Sequence, residues 1–277
     1  MHSPILPAAV AVATLLLCMP AGAAAQTPAG AAAQTPAVQS PTAQAAATTA
    51  PNAAAQSWHP QNAYWKSHDE QLLNDFPWLG RFHDANEQLG PPKAGEDRVV
   101  FMGDSITEGW ELAKSFPGKP YVNRGISGQT SPQMLVRFRQ DVIHLDPKAV
   151  VILAGTNDIA GNTGPETLEQ MEDNLASMAD LAEANHIKVV LCSVTPSVDF
   201  PWHRGQQPAP KIEALNAWMQ HYSAEKGYVY VDYHSVLADA DGGMKPGLSK
   251  DGVHPTAAGY ALMAPLAEAG IEKALAQ

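Results

Sequence analysis

The sequence predicts an α/β fold, a doubly wound three-layer α/β/α sandwich built on a five-stranded parallel sheet. Two observations lead to this prediction. Short apolar runs rich in β-branched residues alternate with helical patterns, and polar residues follow several of the runs. The predicted strands are 98–102, 121–123, 149–153, 187–194 and 228–232. Because each strand is followed by a helix, parallel pairing is favoured, and right-handed crossovers then place helices on both faces.

Helical patterns fill the intervals between these strands. They lie near 109–116 and over 131–144, 165–186, 210–226 and 256–275. The third is predicted to begin at Pro165, since proline is favoured in a first helical turn. Its apolar residues recur on one face at helical spacing, which predicts that this face packs on the sheet: Leu168, Met171, Leu175, Met178 and Leu181.

The first 57 residues contain no Asp, Glu, Lys or Arg. Residues 1–25 are interpreted as a signal peptide, because an apolar stretch from Ala8 to Leu17 precedes small residues typical of a cleavage site. That stretch is too short to span a bilayer, so stable membrane insertion is not predicted. Residues 26–57, rich in Ala, Pro, Thr and Gln, are interpreted as a disordered linker. A periplasmic or secreted location follows from these interpretations.

The remaining chain is divided into an N-terminal helical extension, residues 58–96, and a main domain, residues 97–277. The extension holds six aromatic residues: Trp58, Tyr64, Trp65, Phe76, Trp78 and Phe82. Packing of these rings within the fold is favoured, and a sugar-binding surface is the alternative.

Composition excludes several functional classes. A net charge of −11 without any basic run argues against nucleic acid as a partner. Removal of the signal peptide would leave Cys192 as the remaining cysteine. Because Cys192 lies within an apolar run, we expect a buried thiol rather than a reactive one. Metal-ligand spacing, a phosphate loop and a dinucleotide fingerprint are not found, so no metal or cofactor is predicted.

A serine follows the first predicted strand in the segment Gly103-Asp104-Ser105-Ile106-Thr107. At the carboxyl end of a parallel strand, such a serine is a candidate nucleophile. The alternative is a strand-to-helix turn in which Asp104 or Ser105 caps a helix. Because Thr107 stands where G-x-S-x-G requires glycine, the usual α/β-hydrolase elbow is absent.

An acid and a base lie together near the C-terminus, in Asp251-Gly252-Val253-His254-Pro255. On an extended segment ahead of a helix, Asp251 and His254 can both reach one serine, with the carboxylate orienting the imidazole. Asp251 and Gly252 can also form a turn, and both interpretations can hold together.

These segments resemble the four blocks of the SGNH hydrolases, also called the GDSL esterase/lipase family, and especially its bacterial acylhydrolase and platelet-activating-factor-acetylhydrolase-like members. The first block is similar to Gly103-Asp104-Ser105, the second to Asn123–Gly128, the third to Gly155–Asp158, and the last to Asp251–Pro255. The resemblance spans residues 97–272 and implies a flavodoxin-like sandwich with the fold predicted above.

The resemblance implies a role for one residue in each of the first three blocks and for two residues in the last block. Ser105 is the implied nucleophile, with His254 as base and Asp251 as the acid that orients it. Gly125 and Asn157 are the implied oxyanion donors, through a backbone N–H and a side-chain amide. Taken alone, Gly125 is also compatible with a turn glycine and Asn157 with a turn or cap.

The expected function is that of an exported serine esterase acting on short-chain, especially acetyl, esters on small molecules or carbohydrates. The alternatives are a lysophospholipase or thioesterase with the same residues, and a non-catalytic carbohydrate-binding protein on the same scaffold. Residues 195–209 form a long loop on the same rim, where Trp202, His203 and Arg204 either contact substrate or anchor the loop. The acyl acceptor and the oligomeric state are left open.

Overall fold

A five-stranded parallel sheet forms the centre of the computed structural model, which describes residues 62–277. Its strands are β1 (Val99–Gly103), β2 (Tyr121–Gly125), β3 (Ala149–Leu153), β4 (Lys188–Cys192) and β5 (Val229–Val231). They lie in the order β2-β1-β3-β4-β5, and every neighbouring pair is parallel. The predicted fold class is therefore confirmed. The predicted signal peptide, the linker and Trp58 lie outside the described residues.

Helices precede and follow these strands. They are α1 (Ala63–Asn74), α2 (His83–Leu89), α3 (Ser105–Glu108), α4 (Leu112–Ser115), α5 (Ser131–Asp141), α6 (Thr156–Ala160), α7 (Leu168–Ala184), α8 (Ala209–Lys226), α9 (His234–Leu237) and α10 (Ala257–Leu275). Two short 3₁₀ helices, Leu79–Arg81 and Ile143–Leu145, complete the set for this part of the chain. Over residues 62–277, every helix falls short of the length or the apolar character required for a membrane span.

Each face of the sheet carries its own buried core. On one face, α5, α7 and α8 contribute residues such as Phe138, Leu175 and Leu215. On the other, α10 contributes Met263 and Ile271 together with smaller neighbours. Because alternate strand residues point to opposite faces, a sheet covered on both sides must be apolar on both. The burial of every residue of β1 and β3 meets this requirement.

One helix of the first face, α7, begins later than predicted. It starts at Leu168 and not at Pro165. Thr167 is the N-cap, and Thr167 and Gln170 form a reciprocal capping box with bonds of 3.2 and 2.9 Å. A capping box satisfies two of the N–H groups that have no partner at a helix start, which defines the boundary. The predicted apolar face is otherwise correct, since Met171, Leu175 and Met178 are buried.

Short helices were the elements that the sequence patterns did not resolve. The predicted helix near 109–116 is represented by α4 alone, since α3 ends at Glu108, before the predicted range. Neither α6 nor α9 was predicted. Four or five residues complete hardly more than one turn, too few for a helical period to appear in a sequence.

The strand order places a topological switch point between β1 and β3. The chain leaves β1 toward β2 on one side, and later returns to pair β3 on the other side. In open parallel sheets, the crevice beyond the carboxyl ends of two such strands is where ligands bind. Ser105 directly follows β1, and Asn157 follows β3.

Candidate active site

Ser105 is the first residue of α3, directly beyond the carboxyl end of β1. Asp104 is the N-cap, and its Oδ1 accepts a hydrogen bond of 2.9 Å from the N–H of Ile106. The predicted capping role of Asp104 therefore coexists with a serine presented to the rim. As the first helical residue, Ser105 also has an N–H that has no intrahelical acceptor.

Asp251 and His254 face Ser105 from the loop ahead of α10. The Ser105 Oγ lies 2.9 Å from the His254 Nε2, and the His254 Nδ1 lies 2.6 Å from the Asp251 Oδ2. A carboxylate can only accept, so Nδ1 carries the proton and Nε2 is left to accept from the serine. The three predicted side chains thus form one continuous hydrogen-bonded chain.

The loop that carries the histidine is organised by the same aspartate. Asp251 Oδ1 accepts hydrogen bonds from the N–H groups of Val253 and His254, at 3.0 and 2.8 Å. Val253 is buried in the core. Asp251 therefore forms a turn and orients the imidazole at the same time, with one oxygen for each task.

A contact between α10 and α3 holds the histidine loop against the serine. The Tyr260 hydroxyl donates to the Ile106 carbonyl at 2.8 Å, and its ring stacks on Trp110 with centroids 5.3 Å apart. Since α10 begins three residues after His254, this contact limits movement of the imidazole relative to Ser105.

Electrostatics favour an ionised Asp251 beside the histidine. Partial burial on its own would raise the pKa of Asp251. The hydrogen bonds from the His254 ring and from the N–H groups of His254 and Val253 outweigh burial and lower the pKa to about 2. The carboxylate is therefore charged across the neutral pH range and stabilises a protonated imidazole.

Asn157 lies in α6 with its side-chain amide beside the serine. Its Nδ2 donates to the Gln129 carbonyl at 3.0 Å and, at a longer 3.3 Å, to the Asp104 Oδ2. Asn157 is 2% exposed and lines the cavity in front of Ser105. One amide proton is firmly held, and the other, on the longer contact, is available to a new acceptor.

Gly125 does not occupy the position that a donor to the site requires. Its N–H donates to the Asn123 Oδ1 at 2.8 Å. A β-carbon there would lie 2.1 Å from the Glu108 backbone nitrogen, so glycine is needed for β2 and α3 to approach each other. This hydrogen bond occupies the N–H for which the resemblance implied a donor role, and the close approach of α3 is a packing reason for glycine at this position.

Gly128, three residues on, is the glycine that lines the cavity with Ser105 and Asn157. Its φ of +80° lies in the left-handed region that glycine adopts without strain. Among the described residues, its N–H has no hydrogen-bond acceptor. The sequence did signal this position, since the block contains two glycines, but spacing alone did not distinguish them.

Asn162 connects the parts of this site and was not identified from the sequence. Its Nδ2 donates to the Asn157 Oδ1 at 2.9 Å and to the Gly128 carbonyl at 3.0 Å, and its Oδ1 accepts from the Trp202 indole at 3.0 Å. It is 3% exposed. With its oxygen held by Asn162, the Asn157 amide directs its NH₂ group to the Gln129 carbonyl and the Asp104 carboxylate.

The space in front of Ser105 is a cavity of about 280 Å³, which we call the serine cavity. Besides the polar residues above, its walls include three aromatic rings, of Tyr64, Trp65 and Trp202. Trp65 is 5% exposed and Tyr64 is 56% exposed. The N-terminal extension therefore forms part of the site, which the favoured interpretation of its aromatics as packing did not anticipate.

The rim loop divides into a residue at the cavity and two that anchor the loop. The Trp202 ring lies 6.0 Å from the His254 ring, centroid to centroid. His203 Nδ1 instead bonds the Ala160 carbonyl, and Arg204 pairs with Asp199 at 3.1 Å. His203 and Arg204 therefore anchor the loop, and substrate contact by Trp202 stays a prediction.

Three acidic side chains with raised pKa values lie behind and beside the site. Burial is the main cause for each, and it raises the pKa of Asp104 and of Glu166 to about 7. The pKa of Asp158 is also raised, and its Oδ2 has no partner among the described residues. A carboxyl deprived of water favours its neutral form.

One group with metal-ligand spacing occurs in this part of the chain, away from the serine cavity walls. His83, Asp84 and Glu87 on α2 bring ligand atoms within 4.8 Å of one another, and all three are exposed. The sequence patterns did not single out this group. Exposed acidic groups of this kind are common without an ion, so the group by itself defines no site.

The chain matches the family model of the GDSL-like lipase/acylhydrolase family over residues 101–262. This range includes the last three residues of β1, all of β2 to β5, and all of the site residues above except those of α1. The match extends over more than half of the chain, and it agrees with the family resemblance drawn from the four sequence blocks.

Solved structures and a curated protein give the same result. A GDSL-like lipase of Bacteroides thetaiotaomicron is 46% identical, with a TM-score of 0.70, covering 72% of this chain and all of that one (100%). A proposed acylhydrolase of Bacteroides fragilis is 45% identical, with a TM-score of 0.71, covering 73% and 99%. Esterase TesA of Pseudomonas aeruginosa is 30% identical over 60% of this chain and 83% of its own length.

Proposed function

The chain belongs to the GDSL-like lipase/acylhydrolase family and is a carboxylic ester hydrolase, and from that premise we propose that it hydrolyses short-chain, especially acetyl, esters with Ser105 as nucleophile. The observation that carries the proposal is the pair of contacts made by His254, 2.9 Å to the Ser105 Oγ and 2.6 Å to Asp251. A base within hydrogen-bond reach of a hydroxyl, oriented by a third group, is the arrangement that activates serine.

The proposed reaction has two halves that use the same imidazole. The Ser105 Oγ bonds to the ester carbonyl carbon while its proton passes to the His254 Nε2. The tetrahedral intermediate then expels the alcohol, which takes that proton from Nε2, and the acyl group stays on Ser105. Water attacks the acyl-enzyme and gives a proton to Nε2, and that proton returns to Oγ as the carboxylic acid leaves.

Three donors are proposed for the oxyanion: the N–H of Ser105, the N–H of Gly128 and the Nδ2 of Asn157. Gly128 takes the role that the sequence resemblance implied for Gly125, because it lines the serine cavity whereas the Gly125 N–H bonds Asn123. Donors that are already in place as negative charge develops on the carbonyl oxygen stabilise the transition state by about 3 kcal/mol each.

The preference for short acyl chains rests on the serine cavity. At about 280 Å³, it lies at the lower end of the range for small-molecule pockets, and aromatic rings from α1 and from the rim loop border it. A long acyl chain would require more enclosed apolar volume than this. Comparing turnover of p-nitrophenyl acetate, p-nitrophenyl palmitate and a lysophospholipid tests the preference, and faster turnover of the long-chain substrates would favour the lysophospholipase alternative.

Export is part of the proposal, on the basis of the N-terminal sequence. The apolar stretch Ala8–Leu17, followed by small residues, is typical of a signal peptide. We expect the protein expressed with its own N-terminus in a Gram-negative host to leave the cytoplasm and to lose about 25 residues. Intact mass spectrometry of fractionated cells measures this, and a full-length cytoplasmic product would contradict it.

Ser105→Ala is the variant that tests the nucleophile. We expect at least a 10³-fold loss of p-nitrophenyl acetate turnover, because the covalent intermediate can no longer form. Ser127→Ala is a matched control, since Ser127 is the other serine that lines the serine cavity, and it should keep at least about a tenth of the activity. If Ser105→Ala retained wild-type turnover, the assignment would be wrong, and a role in carbohydrate binding without catalysis would be favoured.

A further inference from the structure

A second, larger cavity adjoins the serine cavity. It has a volume of about 760 Å³ and lies between α1 and the segment that contains the 3₁₀ helix Leu79–Arg81. We call it the outer cavity. Two residues, Tyr64 and Ser127, line both cavities. A ligand held at Ser105 can therefore extend past these two residues without leaving the protein surface.

Trp78 gives the outer cavity an aromatic wall in an unusual conformation. Its backbone is left-handed, with φ 55° and ψ 52°, and its side chain is 37% exposed. A bulky residue in this region is strained, and such strain is found where surrounding structure enforces it and function uses it. The strained turn is maintained by Asp75, whose carboxylate accepts from the N–H groups of Leu79 and Gly80 at 2.9 and 3.0 Å.

The charges in the outer cavity are paired and well oriented. The Arg81 Nη2 lies 3.1 Å from the Glu108 Oε1, and the Glu108 Oε2 accepts from the Ser127 N–H at 2.8 Å. The Arg81 guanidinium also lies near the Trp78 ring, 5.9 Å from its centroid. A guanidinium has five N–H donors in a fixed plane, and only one contact to Glu108 is made here. The other donors can bond neighbouring hydroxyls of a ligand.

This combination of an aromatic face and paired charges determines which ligand fits. A hydrocarbon chain would remove water from Arg81 and Glu108 without replacing its hydrogen bonds, which is unfavourable. An anionic head group would meet a guanidinium that Glu108 already neutralises. A sugar ring satisfies both features, because its hydroxyls replace the lost water and its C–H face packs on an exposed indole.

We propose that the outer cavity is a subsite for an oligosaccharide that forms the alcohol part of the ester cleaved at Ser105. The inference rests on the proposed esterase function and specifies its substrate class as acylated oligosaccharides rather than simple alkyl esters. The volume of about 760 Å³ lies within the range of pockets that enclose drug-sized ligands. Tyr64 and Ser127 mark the passage between the acyl group and the sugar residues.

The test compares acetylated oligosaccharides of increasing length with p-nitrophenyl acetate, whose leaving group is a single ring without the hydroxyls of a sugar. Two substrate series are used, xylo-oligosaccharides and chito-oligosaccharides. In the wild type we expect kcat/KM to rise about tenfold from acetylated mono- to tetrasaccharides in at least one of the two series. In Trp78→Ala this rise should disappear, a loss of about 1.4 kcal/mol for each factor of ten. Turnover of p-nitrophenyl acetate should stay within about twofold, which also shows that the variant is folded.

Two variants serve as controls. Trp78→Phe retains an aromatic face and should keep most of the length dependence. Phe76→Ala removes an exposed aromatic ring from the same segment outside the outer cavity, and should behave as wild type. Length-independent turnover in the wild type for both series would overturn the proposal, as would unchanged length dependence in Trp78→Ala.

Calorimetric titration of Ser105→Ala with unmodified xylo- and chitotetraose separates this inference from the esterase assignment. Binding that is lost in Ser105→Ala/Trp78→Ala supports the subsite even if the wild type hydrolysed no ester. The absence of binding by Ser105→Ala, together with normal p-nitrophenyl acetate turnover by the wild type, would leave the esterase intact and refute the subsite.

Discussion

The orientation of one side-chain amide, that of Asn162, controls how two other residues of the site are held. An amide presents an oxygen on one side and an NH₂ group on the other, so reversing it exchanges acceptor and donor. Asn162 donates to the Asn157 oxygen and to the Gly128 carbonyl. Two of the three proposed oxyanion donors, Asn157 and Gly128, are thereby held by one buried residue, which we regard as a positioning residue.

We expect Asn162→Ala to lower kcat for p-nitrophenyl acetate by about 10- to 100-fold with little change in KM. The physical reason is that the Asn157 amide can then rotate away from the developing oxyanion, an interaction made only in the transition state. Steady-state kinetics on the folded variant measure this.

The control for Asn162→Ala is Asn185→Ala, at an exposed asparagine whose side chain bonds only the Leu181 carbonyl. It should leave both constants near wild type. A residue with a purely structural role would lower the melting temperature without a selective change in kcat, so an unaltered kcat in Asn162→Ala would contradict the positioning role.

Helix boundaries in this protein depend on capping more than on the residue types within each helix. Both Pro165 and Thr167 are acceptable near a helix start by composition. Thr167 and Gln170 complete a reciprocal pair, and the helix begins between them at Leu168. A single-residue preference cannot identify a bonded pair, which explains why the sequence pattern placed the start too early.

We expect Thr167→Ala to lower the free energy of unfolding by about 1 kcal/mol, because it removes the N-cap acceptor and leaves the Gln170 N–H without it. Pro165→Ala is the matched change outside the helix and should alter the free energy of unfolding by less than about 0.5 kcal/mol. Urea denaturation of the two variants measures both values. A larger effect at Pro165 than at Thr167 would show that the helix starts earlier.

The contact between β2 and α3 gives Gly125 a packing role that the sequence analysis did not anticipate. Sequence spacing identified a block with two glycines, and either could supply an N–H to the site. In the folded chain, Gly125 is the point where β2 meets the backbone of Glu108, whereas Gly128 reaches the serine cavity. The distinction depends on how closely two elements pack, which no local pattern encodes.

The whole molecule contains acidic groups that make its stability depend on pH. In the folded state, the pKa values of Asp104 and Glu166 are raised to about 7, mainly by burial, and that of Asp158 is raised as well. Each pKa is higher than in the unfolded chain, so between about pH 4 and pH 7 the folded protein binds more protons. The contribution of these groups to the free energy of unfolding therefore falls as pH rises through this window.

We expect the free energy of unfolding to decrease by about 1.4 kcal/mol per pH unit for each group that is protonated in the folded state and ionised in the unfolded state. Asp104→Asn should remove one such contribution and flatten the slope, since an amide can still accept the Ile106 hydrogen bond. Asp251, whose pKa is lowered to about 2, titrates below this window. Urea denaturation at a series of pH values gives the slopes, and a slope that Asp104→Asn leaves unchanged would contradict a raised pKa at Asp104.

The sequence by itself determined the fold class, the order of the five strands along the chain, and the side chains of Ser105, Asp251 and His254 as one chemical group. These follow from local periodicity and from the rule that parallel strands end at one edge, so they can be read along the chain. Only the tertiary structure decided that Gly128 rather than Gly125 lines the site, that Asn162 orients Asn157, and that α1 and Trp78 extend the cavity. Each of those depends on contacts between residues distant in sequence, and the geometry of such contacts is set by packing of the complete fold.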